Sequence, residues 1–358
     1  MSRRVKYGFG VIILFMLVGL AACKKWLPKE LGYLSPTAVY TQTTFNPILG
    51  RTTVYSLIFN TNSSSTPIHF EITNVRYRAT GKPATDLGKE VPVQVWKQAY
   101  TGDEKSLAEI EAKRTMENHP IWEVRPESGD LILWASADSS MMKQQPDSGY
   151  LFDVVASNSG GTNTYKDMVL DPFREQPYSP YNDRDVLTGQ PLKLYPNPAD
   201  SSAFNYVYNH PIVNNILGDS TDQQIISDSV RVLFHKTGNG SGNANTITFK
   251  FLDKDSVLID PASFNRTIWD SVLHGFNVRL TKQYVRYDVA YPIPLTKFPT
   301  RWTTGDGSQA HVKFSYDRVG FGGITQISSI EFSFAIYQKG DWEVLFYFHS
   351  DTPRFRDE

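Results

Sequence analysis

The sequence predicts an all-β protein made of two antiparallel β-sandwich domains, the first immunoglobulin-like with one inserted helix. Three observations predict it. Short apolar runs with period-two alternation recur along the chain, separated by Gly-, Asn- and Ser-rich turns. Aromatic residues reach 13%, and aromatic side chains suit the pleated surface of strands. Residues 171–200 carry six prolines and little periodicity, which splits the strand-rich chain in two.

The strands are read in order. Val54–Phe59 and Ile68–Val75, joined by a polar Asn-Thr-Asn-Ser-Ser-Ser turn, read as a hairpin with Ile68, Phe70 and Ile72 on one face. Val91–Trp96 is a strand that Pro92 confines to a sheet edge, because proline cannot donate to the ladder. A helix follows. Thr101 and Glu104 have capping-box spacing, Leu107, Ile110 and Arg114 recur at helical intervals, and Asn118-His119-Pro120 ends it. Strands resume at Ile121–Val124, Asp130–Ala135, Tyr150–Ser157 and Tyr165–Leu170, the last two flanking a turn at Asn158–Asn163. After the connector, Asp228–Lys236 and Thr246–Leu252 read as a hairpin around a long glycine-rich loop. Further strands are expected at Ser256–Ile259, Phe276–Leu280, Tyr284–Ala290, His311–Asp317, Ser328–Tyr337 and Glu343–Phe348, with a short helix near Ser263–Leu273. The divisions are 51–172, the connector 173–200, and 201–358.

Composition limits the function. Thirty-six Lys and Arg balance 37 Asp and Glu, so the basic footprint needed to neutralise phosphates is missing and nucleic acid is a poor partner. The single cysteine rules out an internal disulfide and a thiolate metal cluster. The seven histidines show no H-x-x-x-H or H-E-x-x-H spacing, so no metal site is assigned. Asp183 with Asp185 and Asp253 with Asp255 could each give oxygens to a structural calcium, although the ligand count is short. With Asp138 and Asp147, the same pairs are the candidates for two-carboxylate hydrolysis. All sit in turns or connectors, where aspartate usually serves local hydrogen bonding, so no catalytic residue is assigned.

Loop aromatics are the strongest ligand signal. Trp302 lies in the polar stretch Thr300–Gly307, beside Arg301 and Asp306, while Tyr178 and Tyr181 lie in the proline-rich connector. Such rings either pack beneath their loops or present a face to sugar C–H groups, with Arg301, Asp306 or Tyr181 fixing hydroxyls.

The N-terminus gives an address. Arg3, Arg4 and Lys6 precede an apolar core at Val11–Leu20, and Leu20-Ala21-Ala22-Cys23 closes it, a segment too short to span a bilayer. It resembles the bacterial lipoprotein signal. The resemblance implies removal of residues 1–22, lipidation of Cys23, and a tether over 23–50 that fastens the protein to the lipid bilayer. Lys24 departs from the aspartate that retains lipoproteins at the inner membrane, which favours the outer membrane and leaves open whether the body faces the cell surface or the periplasm. Removing 1–22 leaves 336 of the 358 residues, more than one core usually serves.

Cys23 with Lys24-Lys25, Thr52–Tyr55, Glu104–Arg114 and Gln176–Pro180 resemble an uncharacterised lipoprotein family of Bacteroidota. Its members are typically encoded beside SusC/SusD-type outer-membrane uptake systems. The resemblance implies a non-catalytic lipoprotein that binds a polysaccharide or related polymer as an accessory to such a complex. An adhesin or structural surface protein and a carboxylate-dependent glycan hydrolase are the alternatives.

Overall fold

The computed structural model describes residues 32–192, 195–197, 200–205, 207–240 and 245–358. The signal, Cys23 and the first part of the tether lie outside the described residues. Strands make up 43% of the chain and helix 6%. The all-β reading therefore holds.

The first half contains β1 (Val39–Tyr40), β2 (Thr44–Phe45), β3 (Thr53–Tyr55), β4 (Phe59–Asn60), β5 (His69–Tyr77), β6 (Glu90–Trp96), α1 (Leu107–Ala112), β7 (Arg114–Pro120), β8 (Trp122–Val124), β9 (Leu131–Leu133), β10 (Tyr150–Asn158) and β11 (Gly161–Leu170). A four-stranded sheet, β2-β11-β10-β5, and a three-stranded one, β3-β9-β8, enclose a core with Phe45, Trp122, Leu131, Leu133 and Phe152 at its centre. Tyr40, Phe59, Phe70 and Tyr165 meet edge to face at one end of it, each pair contributing roughly 0.5–1.5 kcal/mol beyond its area.

The second half contains β12 (Tyr178–Ser179), β13 (Tyr195–Asn197), β14 (Asp200–Asn205), β15 (Ile212–Asn214), β16 (Val230–Gly238), β17 (Asn245–Leu252), β18 (Phe276–Leu280), β19 (Val285–Val289), β20 (Ala310–Gly320), β21 (Ile324–Ile336) and β22 (Asp341–Phe348). A five-stranded sheet, β16-β22-β17-β19-β18, packs on β20, β21, β12 and β15. Phe249, Phe251, Phe314 and Phe346 interdigitate between the layers. The aromatic richness of the sequence is spent mostly in these two cores.

Several expectations are corrected. The hairpin of Val54–Phe59 with Ile68–Val75 does not form, because Leu57 turns through a positive φ of 57° and the pieces pair elsewhere: β3 with β9, β4 with β1, β5 with β10. The helix is one and a half turns long. Its N-cap is Ser106, whose Oγ accepts from the Glu109 N–H, and Arg114–Pro120 is a strand laddered to β6 over its whole length. Residues β16 and β17 are not a hairpin, since β22 inserts between them, antiparallel to β16 and parallel to β17. Together with the parallel pair β2 and β11, this makes the sheets mixed rather than purely antiparallel. Ser263–Leu273 forms 3-10 turns at Pro261–Ser263 and Trp269–Ser271 instead of a helix. Tyr178–Ser179, inside the proposed connector, pairs with Ile336 and Ala335 as a strand.

The two hairpins orient the chain. In the first half, the β10–β11 turn lies at one end, and there the Gly32 N–H donates to Ser159 Oγ at 2.7 Å. Gly160 permits that approach, because a Cβ on it would stand 1.9 Å from the Gly32 carbonyl oxygen. The open end of the same hairpin leads through Asp171 and Phe173 into the second half. There β20 and β21 begin and end beside the joint and run away from it for eleven paired positions to Gly320 and Ile324. The chain's entry thus lies at the turn end of β10–β11, and the β20–β21 tip lies eleven paired positions from Trp302.

Candidate functional site

The structure separates the residues expected to form a platform. Trp302 is 6% exposed and sits in the joint between the halves. Its indole Nε1–H donates to the Gly102 carbonyl at 3.2 Å, one face lies parallel to the His274 ring at 5.6 Å, and the Arg301 guanidinium stands 4.3 Å from its ring centre. The platform expectation is corrected here: neither face is left for a sugar. Asp306 is exposed but serves its own turn, accepting from Thr304 Oγ1 and from the Ser308 N–H and Oγ. Those hydrogen bonds hold its carboxyl well below the usual carboxylate range. Tyr178 is 2% exposed, stacks on Phe234 at 4.5 Å and donates to Asn182 Oδ1, so it too is a core residue. Tyr181 is half-buried, edge-on to Tyr178 at 5.2 Å. Cys23 lies outside the described residues.

The carboxylate pairs also act locally. Asp138 accepts from Ser140, Asp185 from Leu187 and Thr188, and Asp253 from Asp255 and Val257, each within its own turn. Asp147 and Asp255 meet Lys143 and Lys254, and Asp183 lies beside the Tyr178 hydroxyl. Among the described residues, no three His, Cys, Asp or Glu side chains converge as a metal site.

The joint is a clasp. Gly102, at φ +83°, turns the chain so that its carbonyl meets Trp302. His274 Nε2 donates to the Glu104 carbonyl at 2.9 Å, and Tyr100 donates to His274 Nδ1. Burial, only partly opposed by the Glu104 carbonyl and carboxylate, pushes the His274 pKa down, so the ring is neutral with both nitrogens engaged. Burial alone would raise the Glu104 carboxyl. The Lys113 ammonium and the Thr101 N–H prevail and hold it at about 2. Ile110 of α1 packs on Ala290 and Leu295, and Arg114 Nη1 donates to the Tyr291 carbonyl at 2.8 Å. The helix is therefore part of the joint.

The other feature with chemistry is the outer face of the five-stranded sheet. Alternation in β16 and β22 turns Val230, Val232, Val344 and Phe346 inward and Arg231, Leu233, Leu345 and Tyr347 outward. Register aligns Arg231, Tyr347 and Leu252 in one row, and His235, Glu343, Thr248 and Arg286 in another. Arg231 stands 4.1 Å over the Tyr208 ring and Arg286 stands 4.8 Å over Tyr284, with Arg286 Nε also donating to Thr248 Oγ1. The face is open, half-buried, and mixes tyrosine and leucine surface with polar groups.

The comparisons give a family. The profile described as a domain of unknown function, DUF5007, matches residues 59–357. The chain belongs to the DUF5007 family. No curated protein and no solved structure matches it.

The DUF5007 domain takes in most of the first core, the whole joint and the outer face. Sequence reasoning missed both latter features. Nothing local marks Trp302 as a partner of Gly102, two hundred positions earlier. The face did leave a trace: Arg231, Leu233 and His235 alternate with Val230, Val232 and Phe234, and Arg286 and Asp288 with Val285 and Tyr287. Non-apolar members of a well-marked strand are the exposed set, and here that set is rich in arginine.

Proposed function

We propose that this DUF5007 chain is a lipid-anchored outer-membrane lipoprotein, without catalytic activity, that binds a polysaccharide or related polymer as an accessory to a SusC/SusD-type uptake system. The observation that carries the reading is the open outer face of the five-stranded sheet, where Tyr208, Tyr284 and Tyr347 lie beside Arg231, Arg286, Lys250 and Glu343. Sugars are recognised by apolar ring surface with a few polar fixers, and an extended surface suits a polymer better than a closed cavity does. The lipoprotein-type signal ending at Cys23 supports the anchorage. Gly32 stands nine positions after Cys23, so the tether reaches at most about 30 Å, and the Ser159 end of the first half would face the membrane. Among the described residues no helix is long and apolar enough to cross a membrane.

Affinity electrophoresis of the purified protein in gels cast with neutral and acidic polysaccharides tests the binding. Retardation by at least one polymer is expected, and unchanged mobility in all of them refutes the reading. A second reading, an adhesin, is favoured by one observation: Phe321 and Ile324 at the β20–β21 tip are 89% and 67% exposed. Loss of cell adhesion in Phe321→Ser, with no polymer retarding the wild type, would select it.

A further inference from the structure

The outer face carries a charge asymmetry. Its carboxylates are all engaged within the protein. Glu343 pairs with Lys250 at 2.6 Å, Asp288 with Arg279 and with Asn277 Nδ2, and Asp341 accepts from the Thr246 N–H and Oγ1. Arg231 and Arg286 have no carboxylate partner among the described residues. Each guanidinium instead lies over a tyrosine ring, held in place with its charge uncompensated. Thr248 occupies Arg286 Nε and leaves the terminal nitrogens of that side chain free.

We infer that the ligand of this face is an acidic polysaccharide whose carboxylates are bound by Arg231 and Arg286. The inference rests on the polymer-binding reading above and names the class of polymer. A guanidinium on an aromatic ring presents parallel N–H donors that match a planar carboxylate two to two, and ring stacking removes most of the entropy cost of fixing the side chain. The spacing adds a length requirement. The two arginines lie three strands apart, about 14 Å, and four residues apart along the strands, about 13 Å, so their Cα atoms are separated by about 20 Å. One sugar cannot span that. A chain lying diagonally over Leu345 and Lys250 meets both, with leucine and tyrosine surface beneath its rings.

The test uses the full-length protein purified in detergent. It is run in gels containing polygalacturonate, alginate or hyaluronate, each beside its methyl-esterified form, with dextran sulfate and duplex DNA as other polyanions. At least one uronate polymer is expected to retard the protein, with an affinity about tenfold or more above that of its ester and falling as salt rises. Arg231→Gln and Arg286→Gln should each weaken retention about tenfold. Arg231→Lys and Arg286→Lys keep the charge and lose the fork, and should fall between. An unchanged urea midpoint certifies the fold of each variant. Equal retention of acid and ester overturns this inference while leaving polymer binding standing. Retention of dextran sulfate or DNA alone, or of uronates equally by all four variants, overturns it too. Should no polymer of any kind retard the wild type, the functional reading itself fails.

Discussion

Replacing Trp302 with alanine separates the two roles this residue could have. The side chain is 6% exposed, so nearly its whole surface leaves water on folding. Truncating a buried tryptophan costs roughly 3–5 kcal/mol, and loss of the indole N–H leaves the Gly102 carbonyl without its donor. The two costs overlap, and water can enter an opened joint, so about 3 kcal/mol is expected, roughly a hundredfold in the folding equilibrium. Urea unfolding followed by fluorescence and circular dichroism should show an earlier midpoint. Because each half has its own core, one transition should split into two. Polymer retention, assigned to the outer face, should persist below the first midpoint. A loss of less than about 1 kcal/mol, or abolished retention with unchanged stability, would refute the clasp and return Trp302 to a ligand role.

Two further outcomes probe the same joint. Gly102→Ala places a Cβ 2.8 Å from Thr300 Cγ2 at φ +83°, so it should destabilise by about 1–3 kcal/mol, read from the urea midpoint, whereas a neutral effect would mean that the turn can relax. His274 binds its proton less readily folded than unfolded, so its neutral form stabilises the protein above the unfolded value near 6.5, and that contribution is lost as pH falls below it. The advantage of wild type over His274→Gln in urea midpoint should therefore shrink between about pH 7.5 and about pH 5.5, while Glu104, held at about 2, stays ionised throughout. Comparing the two proteins cancels His119, which Glu117 and Glu123 shift upward against its burial and which acts in the opposite sense. A gap that widens on acidification contradicts the assigned protonation.

Strand positions were legible where one face is buried. Phe332, Phe334 and Ile336 alternate with Glu331, Ser333 and Ala335, and β21 carries them as expected, although Ala335 is buried as well, where β21 pairs with β12. Period two tells which side chains share a face and nothing about which strand lies alongside. That is why β22 was not foreseen between β16 and β17, and why the β3–β5 region was read as a hairpin. The helix overran because Arg114 fits both periods. Lys113 ends it by offering its carbonyl to the Lys97 and Gln98 N–H groups, which starts the β6–β7 ladder. Loop aromatics were the least readable. Polar neighbours suggest exposure, but Trp302 and Tyr178 are claimed by partners distant in sequence, and the surface proposed for the ligand is built on arginines of regular strands.

The seating of β22 between β16 and β17 has a consequence for how the protein is made. During synthesis the chain emerges with its N-terminal part first, and the second sheet stays a pair of unjoined pieces until residues 341–348 arrive to bridge them. Until then β16 and β17 present open ladders to any neighbouring strand. The first half can finish its own core meanwhile, leaving the second as the stage most open to mispairing.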